Sequence, residues 1–225
     1  MPPKLYYSPG ACSLAAHMLL EEIGQPFVLD CVSIPQGMTS SAAFLKINPK
    51  GKVPVLDSDG EVLTELPAIL LYLALRHPEG DWLPTRQPMA LARCAEWLNW
   101  LSGTVHSTAI AQVWRASRFI GDPALEPQVE AQGRKNLMQA FEVIERRLNQ
   151  QLYALGGQYS AVDPYLLVFY RWGNRMGIRM ASHFPAWTTH AQRLMQRPAV
   201  QRAIEREGIV VWDYIDGGIN PHPKR

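Results

Sequence analysis

The stretch VPVLDSDGEVLT, residues 53–64, decides the architecture of the first part of the chain. Two short apolar segments flank a polar Asp-Ser-Asp-Gly sequence that is typical of a turn, so the stretch predicts a β-hairpin. The sequence NPKG at residues 48–51 breaks the chain before it. Pro67 follows the hairpin where a first helical residue is expected, because its missing N–H costs nothing there, and we predict a buried helix from Ala68 to Arg76.

Two more strands and a helix are predicted before the hairpin. Residues 5–7 form a short apolar run that stops at the Ser-Pro-Gly of residues 8–10, and apolar residues then recur at helical spacing over residues 14–23. Residues 27–32 indicate a second strand. Strands that flank a helix in this way are expected to be parallel, with a right-handed crossover. We therefore predict an α/β domain over residues 1–81, with the order βαβ then ββα and a mixed four-stranded sheet.

The chain after Pro88 consists of long amphipathic segments. One helix is predicted from about Leu91 to about Phe119, and another carries a one-sided apolar stripe from Leu137 to Leu148. These stripes are typical of packed helices, and we predict an all-α helical bundle over residues 87–225.

The centre of that bundle is predicted at residues 165–176, which are almost wholly apolar. The preceding sequence SAVD, residues 160–163, has the spacing of a capping box, in which Ser160 accepts from the third helical N–H. Two shorter helices follow at residues 185–195 and 198–207, each with proline at its start, and Gly208 is expected to end the second. The last seventeen residues are expected to wrap the surface.

Composition excludes several classes of protein. The 225 residues include 22 basic and 20 acidic ones, which are scattered and give a net charge of +2, so nucleic acid is a poor candidate partner. The longest apolar run, residues 67–75, is too short to span a membrane. The first residues lack the apolar stretch of a secretory signal, and three widely spaced cysteines fit reduced thiols. We expect a cytoplasmic protein.

Cys12 is the first candidate for chemistry because it lies at the start of a helix. Free N–H groups and the helix dipole stabilise an anion there, so a thiolate is expected at this point. The thiolate belongs either to Cys12 or to a thiol-bearing ligand beside it; the alternative is that Cys12 is a small buried apolar residue. Tyr7, at the end of the first strand, is a candidate donor into the same pocket.

A peptide-like ligand is indicated by two further positions. A cis bond between Val53 and Pro54 would point the Val53 N–H and C=O outward for strand-like pairing, although few X–Pro bonds are cis. Glu65 and Leu66 stand at the start of a helix, where backbone N–H groups bind carboxylates.

Other sequence patterns indicate structural roles and not catalytic or metal-binding ones. The six histidines form no i, i+4 pair and no Cys-x-x-Cys accompanies them, so we predict no metal site. Arg171, Arg175 and Arg179 follow one another at i, i+4 and i+8, which is typical of a solvated or interface face. The tryptophans at positions 97, 100 and 114 indicate packing.

Taken together, four motifs resemble those of a cytosolic glutathione S-transferase, most closely the bacterial beta class. They are YYSPGACS at residues 6–13, NPKGKVP at 48–54, TELPAI at 64–69 and SAVD at 160–163. They occur in the family's order over nearly the whole chain. The resemblance implies a thioredoxin-like first domain, an all-helical second domain that carries the electrophile pocket, and a homodimer.

The resemblance also implies roles for individual residues. Cys12 matches the cysteine that contacts the glutathione sulfur and forms a mixed disulfide with it, and Tyr7 matches a nearby tyrosine. Val53, before Pro54, is expected to pair its backbone with the cysteinyl part of glutathione. Glu65 and the Leu66 N–H are expected to hold the γ-glutamyl end.

The helical domain is implied to complete this site. His106 matches a histidine close to the sulfur, and Asn99 matches an asparagine that helps to bind glutathione, with Gly103 in the same segment. An apolar wall for the electrophile is expected from residues 110–119 and from Tyr165 or Phe169. The implied catalytic residues are Cys12, Tyr7 and His106.

Two departures from the family pattern weaken the expected glutathione site. Leu66 replaces a hydroxyl residue or glycine, which removes a contact worth about 1.5–3 kcal/mol if it is made to a charged group. The loop IPQGM, residues 34–38, lacks a lysine that reaches a glutathione carboxylate in many beta-class members.

The leading functional hypothesis is a glutathione S-transferase that activates the thiol of its co-substrate for attack on small hydrophobic electrophiles. One alternative is a glutathione-dependent reductase or isomerase, for which Cys12, Ser8 and Ser13 are the candidate residues. The other is a transferase-like binding module without activity, which the two departures would explain.

Overall fold

The computed structural model describes residues 1–84 and 87–219 of the 225-residue chain. The strands are β1 (Lys4–Tyr7), β2 (Val28–Cys31), β3 (Val55–Ser58) and β4 (Glu61–Thr64). The helices are α1 (Ser13–Ile23), α2 (Ala42–Ile47), α3 (Leu66–Arg76), α4 (Pro88–Trp100), α5 (Ala111–Trp114), α6 (Glu126–Gln150), α7 (Asp163–Arg175), α8 (Met180–His183), α9 (Pro185–Met195) and α10 (Pro198–Glu207). A π-helix, Leu101–Ile110, joins α4 to α5.

The four strands form one mixed sheet in the order β2-β1-β3-β4. Strand β1 is parallel to β2 and antiparallel to β3, and β3 and β4 form the predicted hairpin. Asp59 and Gly60 both have positive φ, 56° and 85°, which is the backbone of a tight hairpin turn. The predicted α/β fold of the first domain is confirmed.

Side chains alternate between the two faces of this sheet. Leu5 of β1 lies beside Leu56 of β3, and both are completely buried against α1 and α3. The next pair along, Tyr6 and Val55, belongs to a separate apolar cluster that contains Phe44. Because successive side chains of a strand point to opposite faces, each face of the sheet packs against its own apolar cluster.

Helix α2, which carries Phe44, is absent from the sequence prediction. Ser41 begins it, because its Oγ accepts a hydrogen bond of 3.2 Å from the Phe44 N–H. The helix has six residues and buries only Phe44. A helix this short shows no apolar periodicity, which explains why the sequence pattern did not indicate it.

The long helical segment of the second domain ends earlier than predicted. It runs from Pro88 through the π-helix to Trp114, whereas the apolar pattern predicted its end near Phe119. Arg115 leaves the helical conformation, with φ −145° and ψ 47°. Residues 115–118 therefore lie outside this long helix.

Helix α7 is the buried centre of the bundle, as predicted, and it starts at Asp163. The Asp163 carboxylate accepts hydrogen bonds from the Ser160 N–H and O–H, both at 2.7 Å, and from the Ala154 N–H at 2.8 Å. The Ser160 hydroxyl accepts from the Val162 N–H at 3.3 Å. The prediction that it accepts from the third helical N–H is therefore wrong, because the helix starts two residues later than a capping box requires.

The chain after α10 crosses the surface of α7. Gly208 ends α10 in the left-handed conformation, as predicted, with φ 62°. The backbone N–H groups of Ile215 and Ile219 then donate to the carbonyls of Asn174 and Arg175, at 3.3 and 2.8 Å. The remainder of the predicted wrapping segment, residues 220–225, lies outside the described residues. Over the residues that the structure describes, no helix combines the length and apolar character needed to cross a membrane.

Candidate active site

A cleft of about 1360 Å³ separates the sheet domain from the helical bundle. The first domain lines it with residues 8–12, 34–37, 39–40, 48, 51–54 and 64–66, and the helical domain lines it with residues 102, 106–107, 110–111, 113–118, 123, 126–127, 130, 165, 171–172 and 175. The cleft thus brings together six predicted site residues from separate motifs of the sequence: Cys12, Val53, Pro54, Glu65, Leu66 and His106.

Val53 and Cys12 meet at the wall of this cleft. The Val53–Pro54 bond is cis, as expected. The Cys12 thiol donates to the Val53 carbonyl at 3.5 Å, and within the described residues the Val53 N–H has no acceptor. An extended ligand can therefore pair with the Val53 backbone beside the Cys12 sulfur.

Burial governs the acidity of Cys12. Loss of solvation raises the pKa of its thiol to about 12, while the positive charge of Arg115 and the backbone N–H groups of Cys12 and Ser13 act in the opposite direction. The donors expected at a helix start are present, but they do not outweigh the cost of burying a charge. The Cys12 thiol therefore donates a hydrogen bond in the ligand-free protein, which favours a thiolate on a ligand beside it over a thiolate on Cys12 itself.

Glu65 and Leu66 form the start of α3 at another part of the cleft. Glu65 is exposed and has φ 70°, and Lys50 Nζ lies 2.5 Å from its Oε1 and 2.6 Å from Thr64 Oγ1. The Leu66 side chain is buried in the core, whereas its N–H is the first of the helix and has no intrahelical acceptor. The backbone donor is therefore kept despite the departure from the family pattern.

His106 lies in the cleft within a group of aromatic side chains. Its Nδ1 is 2.9 Å from the Tyr165 hydroxyl, and its ring packs against Trp172 with centroids 4.9 Å apart. Burial raises the pKa of Tyr165 well above its ordinary value, and the proximity of Cys12 adds to that shift. The Tyr165 hydroxyl is thus a polar group of the site, although the sequence indicated only an apolar wall there. Phe169 is buried in the core and does not line the cleft.

Tyr7 lies outside the cleft, which corrects the expectation that its hydroxyl enters the pocket. Residues two apart on a strand share a face, so Tyr7 lies on the same side of β1 as Leu5, toward α1. Its ring is 6.0 Å from the ring of His17. Burial, with the nearby Cys31 and Glu207, raises its pKa.

Asn99 and Gly103 are exposed and likewise do not line the cleft of this chain. Asn99 belongs to α4, and Gly103 belongs to the π-helix that follows it. Within this chain, the structure therefore does not join Asn99 and Gly103 to the other predicted site residues.

Three side chains of the helical domain hold the loop that precedes Cys12. Trp172 Nε1 and Arg171 Nη1 donate to the Gly10 carbonyl, at 2.9 and 3.4 Å, and the Gly10 N–H donates to Glu207 at 2.7 Å. Gly10 has φ 68°, and a Cβ added there would lie 2.6 Å from Arg171. Glycine is therefore required by both the backbone and the close approach.

This contact clarifies the interpretation of the arginine stripe. Arg171 is buried, and burial lowers its pKa to about 10, with the charge of Arg175 adding to the effect. Arg175 pairs with Asp213, and Arg179 stacks over Tyr214. Of the two expectations, a solvated or an interface face, the interface describes Arg171 and Arg175, because the Gly10 loop and residues 209–219 cover them, while Arg179 is exposed.

Basic residues also line the cleft, although its loop at residues 34–38 lacks the lysine of many beta-class members. Lys52 lies beside Val53, and Arg115 and Arg118 follow the end of α5. In the described part of the chain, no group of three or more His, Cys, Asp or Glu side chains is arranged to hold a metal. The site combines a backbone pairing edge, a thiol donor and several fixed positive charges.

Known proteins share this fold and these motifs. Family models for the N-terminal and C-terminal domains of glutathione S-transferase match residues 10–76 and 112–198. A curated relative, glutathione S-transferase GstA of Escherichia coli O157:H7, is 31% identical over 210 residues, which cover 92% of this chain and 99% of the relative.

Solved structures agree with the sequence comparison. A glutathione transferase homologue from Sulfitobacter with bound glutathione has a TM-score of 0.85 and 30% identity, and covers 93% of this chain and 99% of its own. The beta-class glutathione S-transferase of Sphingomonas chungbukensis has a TM-score of 0.79 and 32% identity, with coverage of 92% and 100%. The chain described here therefore belongs to the glutathione S-transferase family, as its motifs indicated.

Proposed function

We propose that this protein is a glutathione S-transferase that activates the thiol of glutathione for attack on a small electrophile. The observation that carries the proposal is the meeting of the Cys12 thiol with the Val53 backbone, 3.5 Å from Sγ to the carbonyl oxygen, in a cleft between the two domains. Family membership and relatives with bound glutathione support it.

Glutathione is the co-substrate in this proposal, and its three parts have separate partners. The cysteinyl backbone pairs with the N–H and C=O of Val53. The γ-glutamyl end binds at the start of α3, where the Leu66 N–H meets its carboxylate and Glu65 meets its ammonium group. Lys52 lines the same cleft, and its ammonium group binds a glutathione carboxylate in place of the absent loop lysine.

Cys12 acts as a hydrogen-bond donor in this arrangement. When the cysteinyl N–H of glutathione takes over the Val53 carbonyl, the Cys12 S–H turns to the glutathione sulfur and stabilises its thiolate. The positive charge of Arg115 acts on the same region, since it lowers the pKa of Cys12. An ordinary thiol has a pKa near 8.5, and each unit of depression requires about 1.36 kcal/mol of preferential stabilisation of the thiolate.

The alternatives have less support from the geometry. A reductase would need Cys12 as the nucleophile that attacks a disulfide, but burial raises its pKa to about 12. An isomerase that uses a serine would need an available hydroxyl, but Ser13 is buried, lies outside the cleft and donates its proton to the Ser8 carbonyl. A module without activity would not require a cleft of this size next to a thiol.

We also propose, from the family resemblance, that the protein acts as a homodimer in the cytoplasm. Light scattering of the purified protein tests the assembly: a mass of about twice 25.3 kDa is expected, and a mass of one chain at micromolar concentration would contradict the proposal.

Calorimetric titration with reduced glutathione tests the proposed function. Micromolar binding is expected, and Glu65→Gln should weaken it about tenfold, because it removes a charge that meets the glutathione ammonium group. Glu61→Gln is the matched control, since Glu61 is also exposed, on the adjoining strand β4, but lies outside the cleft.

Two results would overturn the proposal. One is the absence of heat and of competition at millimolar glutathione. The other is binding to the wild-type protein that Glu65→Gln and Glu61→Gln weaken to the same extent.

A further inference from the structure

The helical side of the cleft carries positive charge where the electrophile would bind. Arg115 follows α5 with a non-helical backbone, Arg118 is the last residue of a short 3-10 helix, Ala116–Arg118, and both line the cleft. Arg118 is exposed and makes no ion pair with the residues that the structure describes. Burial lowers the pKa of Arg115 to about 10, with the charge of Arg118 adding to the effect. Both side chains are cations at neutral pH.

Two carboxylates on the same side of the cleft are engaged by arginines other than Arg118. Glu130 pairs with Arg134 at 3.0 Å, and Asp213 pairs with Arg175. Arg171 gives its hydrogen bonds to the carbonyls of Val210 and Gly10.

An apolar surface lies beside the two arginines. Ile110, Val113, Trp114 and Trp172 line the same cleft, and the rings of the two tryptophans are 5.4 Å apart in an edge-to-face arrangement. The charge of Arg115 acts on Cys12, which connects this surface with the point where the sulfur would lie. A ligand that fits is therefore apolar on one side and negatively charged on another.

We infer that the electrophile of this transferase is an aromatic compound with a carboxylate or similar anionic group, which Arg118 binds beside the positive charge of Arg115. The inference rests on the proposed function and names its substrate class. With a chloronitrobenzoate, the glutathione thiolate forms the C–S bond and the C–Cl bond breaks. Chloride leaves with the bonding electron pair, and the proton of the thiol passes to water.

Two matched substrates test the inference. One is a chloronitrobenzoate, with chlorine para to the carboxylate and nitro ortho to chlorine, and the other is the corresponding benzamide. Each kcat/KM is divided by the uncatalysed rate constant with glutathione, which removes the difference in intrinsic reactivity. We expect the ratio for the carboxylate to exceed that for the amide about tenfold at low salt, because charge-assisted hydrogen bonds to arginine form only with the former.

Variants identify the residues responsible for that preference. Arg118→Gln should reduce the preference about fivefold, and Arg118→Glu should reverse it. Arg93→Gln is the matched control, since Arg93 is an exposed arginine that pairs with Glu96 on α4 and lies outside the cleft. Added salt should weaken the wild-type preference, because an exposed charge is screened.

The comparison can be repeated without turnover by measuring the affinity for two S-benzylglutathione derivatives. One carries a para carboxylate and the other a para carboxamide. Equal binding and equal rate ratios for the two members of each pair would overturn the inference. A fall of equal size for both substrates in Arg118→Gln would also overturn it, since this would assign Arg118 to the thiolate or to glutathione. Conjugation of the amide without any preference for the carboxylate leaves the transferase function standing, whereas failure to bind glutathione contradicts both proposals.

Discussion

The carboxylate of Glu207 accepts a hydrogen bond of 2.7 Å from the backbone N–H of Gly10, across 197 positions of the sequence. The other oxygen of Glu207 lies 2.9 Å from His17 Nδ1, and both side chains are completely buried. The last helix of the bundle thereby holds the loop that precedes Cys12. The position of the thiol in the cleft depends on packing between the two domains.

Loss of this contact should lower both stability and activity. In Glu207→Ala the Gly10 N–H is left buried without an acceptor, so we expect a loss of about 1–3 kcal/mol in the free energy of unfolding. Transferase activity should fall as the loop loses its position. Urea denaturation and kcat/KM measure the two effects.

Glu207→Gln keeps an oxygen that can accept from Gly10 and should restore part of both properties. Glu205→Ala, an exposed change on the same helix, is the control. Equal effects of Glu207→Ala and Glu205→Ala would contradict the prediction.

Removal of the Cys12 thiol should make bound glutathione less acidic. A hydrogen bond to a charged group contributes about 1.5–3 kcal/mol, which corresponds to about one to two units in the pKa of the glutathione thiol. In Cys12→Ala the pH at which bound glutathione ionises, followed by ultraviolet absorbance of the thiolate, should rise by that amount. Cys31→Ala is the control because Cys31 is exposed and outside the cleft; an unchanged pKa in Cys12→Ala would refute the role of Cys12 as a donor.

The free protein should react with thiol reagents at Cys31 before Cys12. Cys31 is exposed, whereas Cys12 is buried with a pKa of about 12, and only the thiolate is nucleophilic. Iodoacetamide labelling between pH 7 and 10, followed by mass spectrometry of peptides, should therefore label Cys31 first. The rate at Cys12 should still be rising at pH 10. A plateau in that rate below pH 9 would indicate a Cys12 thiolate and support the reductase alternative.

Stability should decrease in alkaline solution because two buried thiols keep their protons. Burial raises the pKa of Cys12 and of Cys94 to about 12 in the folded protein, whereas unfolded thiols ionise near 8.5. Below about pH 8.5 both thiols are protonated in the folded and the unfolded state, so they do not reduce the free energy of unfolding. As the pH rises toward 12, the thiols lose protons only in the unfolded state, which is stabilised relative to the folded state. Urea midpoints should therefore fall over this range. Cys94→Ala should make the fall shallower, and an unchanged slope would contradict this account.

Asp163 should be among the most sensitive positions for folding. Its buried carboxylate accepts from the Ser160 and Ala154 N–H groups and lies 2.8 Å from His190 Nε2. Asp163→Ala leaves these groups without a partner, and we expect a loss of about 3–5 kcal/mol, as for a broken buried pair. Asp122→Ala, which removes an exposed cap, should cost about 1 kcal/mol. Thermal unfolding compares the two, and equal losses would contradict the prediction.

Local sequence patterns predicted most of the elements. The turn at Asp59-Gly60 is encoded by residues that tolerate positive φ, and each proline that opens a helix acts through its own ring and missing N–H. The motifs around Cys12, Val53 and Glu65 likewise indicated one ligand site, because each combines a special backbone position with a polar or thiol group. Each of these sequence patterns involves only a few consecutive residues.

The direction of individual side chains was not predictable in this way. Tyr7 was expected in the pocket, but the pairing of β1 within the sheet turns its ring toward α1. Arg171 was expected on a solvated or interface face, and only the contact between α7 and the Gly10 loop shows that it is buried. The arginines after Trp114 were expected within a helix, and they line the cleft because the chain changes direction at Arg115.

The amino-acid sequence alone determined the two-domain fold and the glutathione-type site, since both depend on short motifs whose conformations are set by neighbouring residues. Only the tertiary structure decided that Cys12 is buried and donates to the Val53 carbonyl, and that arginines line the helical side of the cleft. Those properties arise from burial and from charges far apart in the chain. The free energy of a charge depends on the groups packed around it in space, and no local pattern records which groups those are.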